Sequence, residues 1–88
     1  MNILITRPLI DTEDLMQKLF STDHKIFHLP TLKISSNHMD PVNSDEFDAF
    51  IFTSANAIRN LQLKNNNKKI NCFCVGSITE KIARQNGF

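Results

Sequence analysis

The stretch Asp48-Ala-Phe-Ile-Phe-Thr-Ser-Ala-Asn-Ala-Ile-Arg59 decides how this 88-residue chain is read. Its apolar run, Ala49 to Phe52, has the length and composition of a buried strand. Two hydroxyl residues, Thr53 and Ser54, stop that run, and helix-forming residues begin at Ala55. Ser54 therefore stands where an N-cap belongs, ahead of backbone N–H groups that have no intrahelical acceptor. A strand end feeding a capped helix suits an anion, because the free amides and the helix dipole both favour negative charge. The same order returns at Ile70-Asn-Cys-Phe-Cys-Val-Gly-Ser-Ile-Thr-Glu80. Two such turns predict a binding edge built from repeated parts.

Outward from these turns, strand and helix patterns alternate along the chain. Ile3 to Ile5 is a short apolar strand, ended by Thr6-Arg7-Pro8. A helix follows, with Asp11 expected as its cap and Glu13 and Asp14 in the first turn, where the dipole favours acids. Leu15, Met16, Leu19 and Phe20 form its apolar stripe. Lys25 to Leu29 reads as a second strand, halted by Pro30, which completes a βαβ unit with parallel strands. Leu32-Lys33-Ile34 is a brief extended piece, and the polar stretch from Ser35 to Asp45 reads as a loop or crossing segment.

From Phe47 the expectation is strand, helix from Ala55 to about Leu63, an Asn-rich loop, strand from Ile70 to Val75, and a last helix. That helix is expected to open on a capping box, Ser77-Ile-Thr-Glu80, and to close on Asn86-Gly87, which suits a left-handed cap. The class is α/β with parallel strands. The segments on either side of the central loop are each too small to close a core, so each reads as part of a domain.

Composition narrows the function. Folding at this length buries roughly 60–65% of the chain's surface, a thin margin. The net charge is +1, with lysines dispersed among acids, so bulk electrostatics predict no nucleic-acid partner. Lys64, Lys68 and Lys69 among three asparagines read as a solvated loop. The opening residues carry no basic leader and no long apolar segment, so neither a signal peptide nor a membrane span is expected, and the expected location is cytoplasmic. Cys72 and Cys74, two apart in a strand, share one face, where a bridge between them would need distorted geometry. They read as small buried hydrophobes. His24, His28 and His38 supply no metal-ligand spacing to go with them.

The chemistry sits at three strand ends: Thr6-Arg7, Thr53-Ser54-Ala55-Asn56, and Gly76-Ser77-Ile78-Thr79. In open α/β sheets, ligands bind beyond the carboxyl ends of the strands. Hydroxyls and amides there can donate to a carboxylate or phosphate, Arg7 can pair bidentately with a carboxylate, and Gly76 lets a ligand approach the backbone. The plainer roles are helix caps for Ser54 and Ser77, local bonding for Asn56 and a surface position for Arg7. No G-x-G-x-x-G, P-loop, nucleophile elbow or HExxH is present. These residues alone describe an anion-binding α/β module.

Three motifs make the pattern specific. Ile3-Leu-Ile-Thr-Arg-Pro8, the stretch from Asp48 to Arg59, and Val75-Gly-Ser-Ile-Thr79 with Asn86-Gly87-Phe88 together resemble the N-terminal part of the uroporphyrinogen-III synthase family. Ile58 stands where that family commonly has valine, and Glu80 where it commonly has alanine. The resemblance implies two α/β domains with flavodoxin-like parallel sheets, the second inserted into the first through paired linkers. On that template residues 1–32 begin the first domain, 33–46 form the linker or crossing segment, and 47–88 begin the second. The architecture would then be incomplete in this chain, which reads as an N-terminal portion inactive by itself.

The implied reaction is closure of hydroxymethylbilane, a linear tetrapyrrole with eight carboxylates, to uroporphyrinogen III. Water is lost and the terminal pyrrole ring inverts, with no metal or organic cofactor. Holding a flexible polyanion in one folded shape supplies much of such catalysis. The resemblance assigns substrate contact to Thr6, Arg7, Ser54, Asn56, Gly76 and Thr79, and it names no catalytic acid among them. The family's favoured candidate for that role is a tyrosine, and this chain contains none. Two other readings remain open: a non-catalytic anion-binding module, and an interaction protein that self-associates or recruits a partner through exposed strand edges.

Overall fold

The computed structural model describes residues 1–65 and 68–88. Asn66 and Asn67, part of the expected Asn-rich loop, lie outside the described residues. The chain divides into two compact units, residues 1–35 and 36–88. The class is α/β, as expected, with small parallel sheets.

The first unit is a βαβ turn. Strand β1 (Asn2–Ile5) pairs in parallel with β2 (Lys25–His28), in a register that sets Ile3 against Ile26 and Ile5 against His28. Helix α1 (Glu13–Ser21) connects them. Its start differs from the expected Asp11 cap. Leu9–Asp11 forms a 3-10 turn, and Thr12 takes the cap position without a side-chain capping bond. The Thr12 hydroxyl instead donates back to the Pro8 carbonyl at 3.2 Å, and Thr12 is only 1% exposed. A hydroxyl that satisfies a carbonyl one turn earlier can be buried without penalty, so threonine anchors this bend better than a charged aspartate. Met16 and Leu19 are half-buried, whereas Leu15 and Phe20 are exposed, so the apolar stripe is narrower than the sequence implied. The turn into β2 uses Asp23 at φ 67°, a conformation that aspartate tolerates better than most residues.

The second unit repeats the strand–helix step. Strand β3 (Ala49–Phe52) leads to α2 (Ala55–Asn60), and β4 (Asn71–Cys74) leads to α3 (Ser77–Gln85). β3 and β4 are parallel, with Phe50 opposite Cys72 and Phe52 opposite Cys74. The core consists of Phe52, Ile58 and Ala83, with Phe50, Leu61, Ile82 and Phe88 packed against it. The Phe52 and Phe88 rings meet edge to face with centroids 5.3 Å apart, a favoured aromatic geometry.

α2 ends at Asn60 rather than near Leu63, because the chain turns out to form a parallel bridge between Leu63 and Val42. Val42 thereby brings order into the stretch expected to be loop, and Ser44, 2% exposed, donates to the Asn65 side chain at 2.7 Å. Leu32 to Ile34, by contrast, lie outside any strand.

Helix α3 closes as the Asn86-Gly87 signal suggested. Gly87 adopts φ 89°, its N–H donates to Arg84, and the Phe88 N–H reaches the Ala83 carbonyl at 3.0 Å. That pair of bonds is a Schellman motif, and it folds Phe88 back onto the core beside Ala83. The cluster expected as solvated loop is partly recruited here. Lys68 donates to the Asn86 carbonyl, and its ammonium lies over the Phe88 ring at 5.5 Å.

Each sheet carries apolar side chains on its open face. Leu4 and Phe27 face each other across β1 and β2, and Ile51 and Phe73 across β3 and β4, all substantially exposed. Parallel strands ordinarily bury both faces. Among the described residues, no helix is long and apolar enough to cross a membrane.

Candidate functional site

The strand-end residues of the second unit come together because β3 and β4 run in the same direction and stop at the same level. The Val75 N–H donates to the Phe52 carbonyl at 2.9 Å, so pairing continues one residue past the last strand pair. Thr53-Ser54 and Gly76-Ser77 therefore leave the same edge of the sheet.

Ser54 is the N-cap of α2, as its position implied. Its backbone is extended (φ −149°, ψ 139°), and its hydroxyl accepts the Asn56 N–H at 3.2 Å. Asn56 lies in the first turn of α2, where its side-chain carbonyl accepts from Arg59 Nη1 at 2.9 Å. Arg59 was not singled out from the sequence, although the i,i+3 spacing of Asn56 and Arg59 could have identified it. The pair draws a cation to within one helical turn of the strand end. Thr53 is exposed beside it.

The second turn departs from the expected capping box. Gly76, not Ser77, is the N-cap of α3, at φ 87° and ψ 150°, and the Glu80 N–H donates to its carbonyl at 3.2 Å. The Glu80 carboxylate accepts from Arg84 at 3.0 Å and 3.1 Å instead of reaching back to the helix start. A glycine cap has no side chain to satisfy the first-turn amides, so the opening of α3 is left to other acceptors. Gly76, Ser77 and Ile78 are exposed, while Thr79 is 7% exposed.

Thr6 and Arg7 belong to the first unit, just past β1. The Thr6 carbonyl accepts the Thr31 N–H at 2.9 Å, and His28 Nε2 meets the Arg7 carbonyl at 2.8 Å. These bonds hold the backbone of the T-R-P turn, and both Thr6 and Arg7 are exposed.

Cys72 and Cys74 are half-buried rather than fully buried. Burial, and then the neighbouring Cys74, push the Cys72 thiol above the usual range. Among the described residues, no three His, Cys, Asp or Glu side chains cluster so as to hold a metal ion.

A family model described as Uroporphyrinogen-III synthase HemD matches residues 13–88. That span takes in Ser54, Asn56, Gly76 and Thr79 and begins after Thr6 and Arg7. No curated protein and no solved structure matches the chain significantly.

Proposed function

Because this chain belongs to the uroporphyrinogen-III synthase family, we propose that it contributes to the cyclisation of hydroxymethylbilane to uroporphyrinogen III, a hydro-lyase reaction of tetrapyrrole synthesis in the cytoplasm. The observation that carries this reading is the family match across both strand-to-helix turns. The role is to bind and fold the substrate. Carboxylates of the linear tetrapyrrole meet the amides that open α3, the Ser54 hydroxyl and the Asn56 amide, with Gly76 allowing close approach. Thr6, Arg7 and Thr79 complete the proposed contact set. Pinning several carboxylates restricts the chain to the folded shape in which the terminal ring can invert, an orientational contribution to the rate.

The residues named bind and orient, and none of them is assigned the proton transfer. In this reading the 88 residues are the opening portion of a larger catalytic assembly. The two-stranded sheets with exposed Leu4, Phe27, Ile51 and Phe73 support it, since such faces are ordinarily covered. Separated from that assembly, the chain is expected to be inactive and to self-associate through its unpaired strand edges.

The test is to incubate hydroxymethylbilane with the native polypeptide that carries this sequence, oxidise the products and separate the porphyrin isomers. Excess type III isomer over the protein-free control supports the assignment. Type I alone, at the control rate, overturns it.

A further inference from the structure

Three consecutive carbonyls of the T-R-P turn are each held by a donor further along the first unit. The Thr6 carbonyl accepts the Thr31 N–H at 2.9 Å. The Pro8 carbonyl accepts the Asp11 N–H at 3.0 Å and the Thr12 hydroxyl at 3.2 Å. Between them, the Arg7 carbonyl meets His28 Nε2 at 2.8 Å. A carbonyl oxygen only accepts, so Nε2 carries the ring proton and donates it. His28 is the last residue of β2, half-buried, and its ring reaches the turn that follows the neighbouring strand β1.

The three bonds differ in what they depend on. Thr6 and Pro8 are held by backbone N–H groups, which survive most substitutions at Thr31 and Asp11. The bond to Arg7 goes with the imidazole. The Arg7 carbonyl also belongs to the peptide bond before Pro8, which has no N–H of its own to contribute to the turn.

We propose that His28 is a positioning residue that fixes the Arg7 backbone, so that the guanidinium stands ready for a carboxylate of the linear tetrapyrrole. The inference rests on the tetrapyrrole reading and adds to it the residue through which Arg7 is set. Two physical effects support it. A bidentate guanidinium–carboxylate pair demands a fixed orientation, and ordering a long side chain is cheaper from a backbone that is already held. A carbonyl oxygen without a donor is also a partial negative charge beside the docking anion; bonded to His28, it is engaged within the protein. His28 has the right place for this role, at the carboxyl end of its strand, where open α/β sheets bind their ligands.

The experiment is fluorescence titration of the native polypeptide that carries this sequence with uroporphyrin III, comparing His28→Gln with His28→Asn. Glutamine carries an amide N–H at nearly the reach of imidazole Nε2, whereas asparagine is one methylene shorter and falls short of the Arg7 carbonyl. The expected affinity is within twofold of wild type for His28→Gln and at least fivefold weaker for His28→Asn. Arg7→Gln is expected to weaken binding to a similar degree, and adding His28→Asn to it should cost nothing further. A role confined to stability would instead leave the two losses independent, and the double variant would show their product.

Nitrogen NMR of the wild-type ring, which needs no variant to fold, is expected to find neutral His28 protonated on Nε2. A ring protonated on Nδ1, an asparagine variant equal to wild type, or independent losses in the double variant would each overturn the role of His28 while leaving the tetrapyrrole reading in place. A wild-type protein that binds no uroporphyrin III would instead remove that reading, and this role with it.

Discussion

The Val75 N–H donates to the Phe52 carbonyl at 2.9 Å, one residue beyond the last pair of the β3–β4 register. This bond levels two chain turns that lie more than twenty residues apart in sequence. The packing beneath it makes that level rigid: Phe52 is 5% exposed and belongs to the same cluster as Ala83 of α3. Core packing and site geometry thus depend on the same residue.

Phe52→Ala removes the largest side chain of that cluster. Truncating a buried phenylalanine costs about 3–5 kcal/mol, a large share of the whole stability of a small domain. The expected outcome in urea, followed by far-ultraviolet circular dichroism, is a strongly reduced or absent cooperative transition. Phe73→Ala, on the exposed face of the neighbouring strand, is expected to shift the midpoint far less.

Ser54 has two separable roles. As a cap it accepts the Asn56 N–H, and its replacement by alanine should cost about 1 kcal/mol, whereas glycine at an N-cap costs only a few tenths. Ser54→Gly should therefore leave the urea midpoint nearly unchanged. If the hydroxyl also contacts substrate, the same variant should bind uroporphyrin III several-fold more weakly, as read by fluorescence titration. Affinity equal to wild type would leave Ser54 with the capping role alone.

Glu80→Gln tests the departure from the expected capping box. Glu80 pairs with Arg84 one turn on, with both side chains more than half exposed, and such pairs contribute roughly 0.3–0.5 kcal/mol before salt screening. The midpoint should move by no more than that and should stop moving at high salt. A loss near 1 kcal/mol that persists in salt would restore the capping role.

Much of this was legible in the sequence because the signals were local. Ser54 after an apolar run, Gly87 before the last residue, and parallel strands separated by a helix each follow from neighbouring residues. The misreadings came where burial, a distant partner or a residue's own backbone angle decided the outcome. Thr12 displaced Asp11 at the start of α1 because a buried hydroxyl can bond to Pro8 and an acid there cannot be buried cheaply. α2 stopped early because Leu63 pairs with Val42, some twenty residues upstream. The Ser-x-x-Glu spacing was present, but the φ of Gly76 moved the helix start back by one residue, and a residue's own backbone angle leaves no mark on spacing.

Gly76 yields the sharpest prediction. It holds φ 87° with ψ 150°, and a Cβ added there would meet nothing within 4 Å. Substitution therefore meets open space and costs only backbone strain, of order 1–3 kcal/mol for a region that glycine alone occupies readily. Gly76→Ala should lower the urea midpoint accordingly. Asparagine commonly replaces glycine where the backbone is left-handed helical, near ψ +47°, but ψ 150° lies far from that basin. Gly76→Asn should thus be no more stable than Gly76→Ala. An asparagine variant close to wild type would mean that the turn relaxes into the left-handed helical region. The Gly76–Ser77 amides would then re-aim, and tetrapyrrole affinity should fall even though stability is kept.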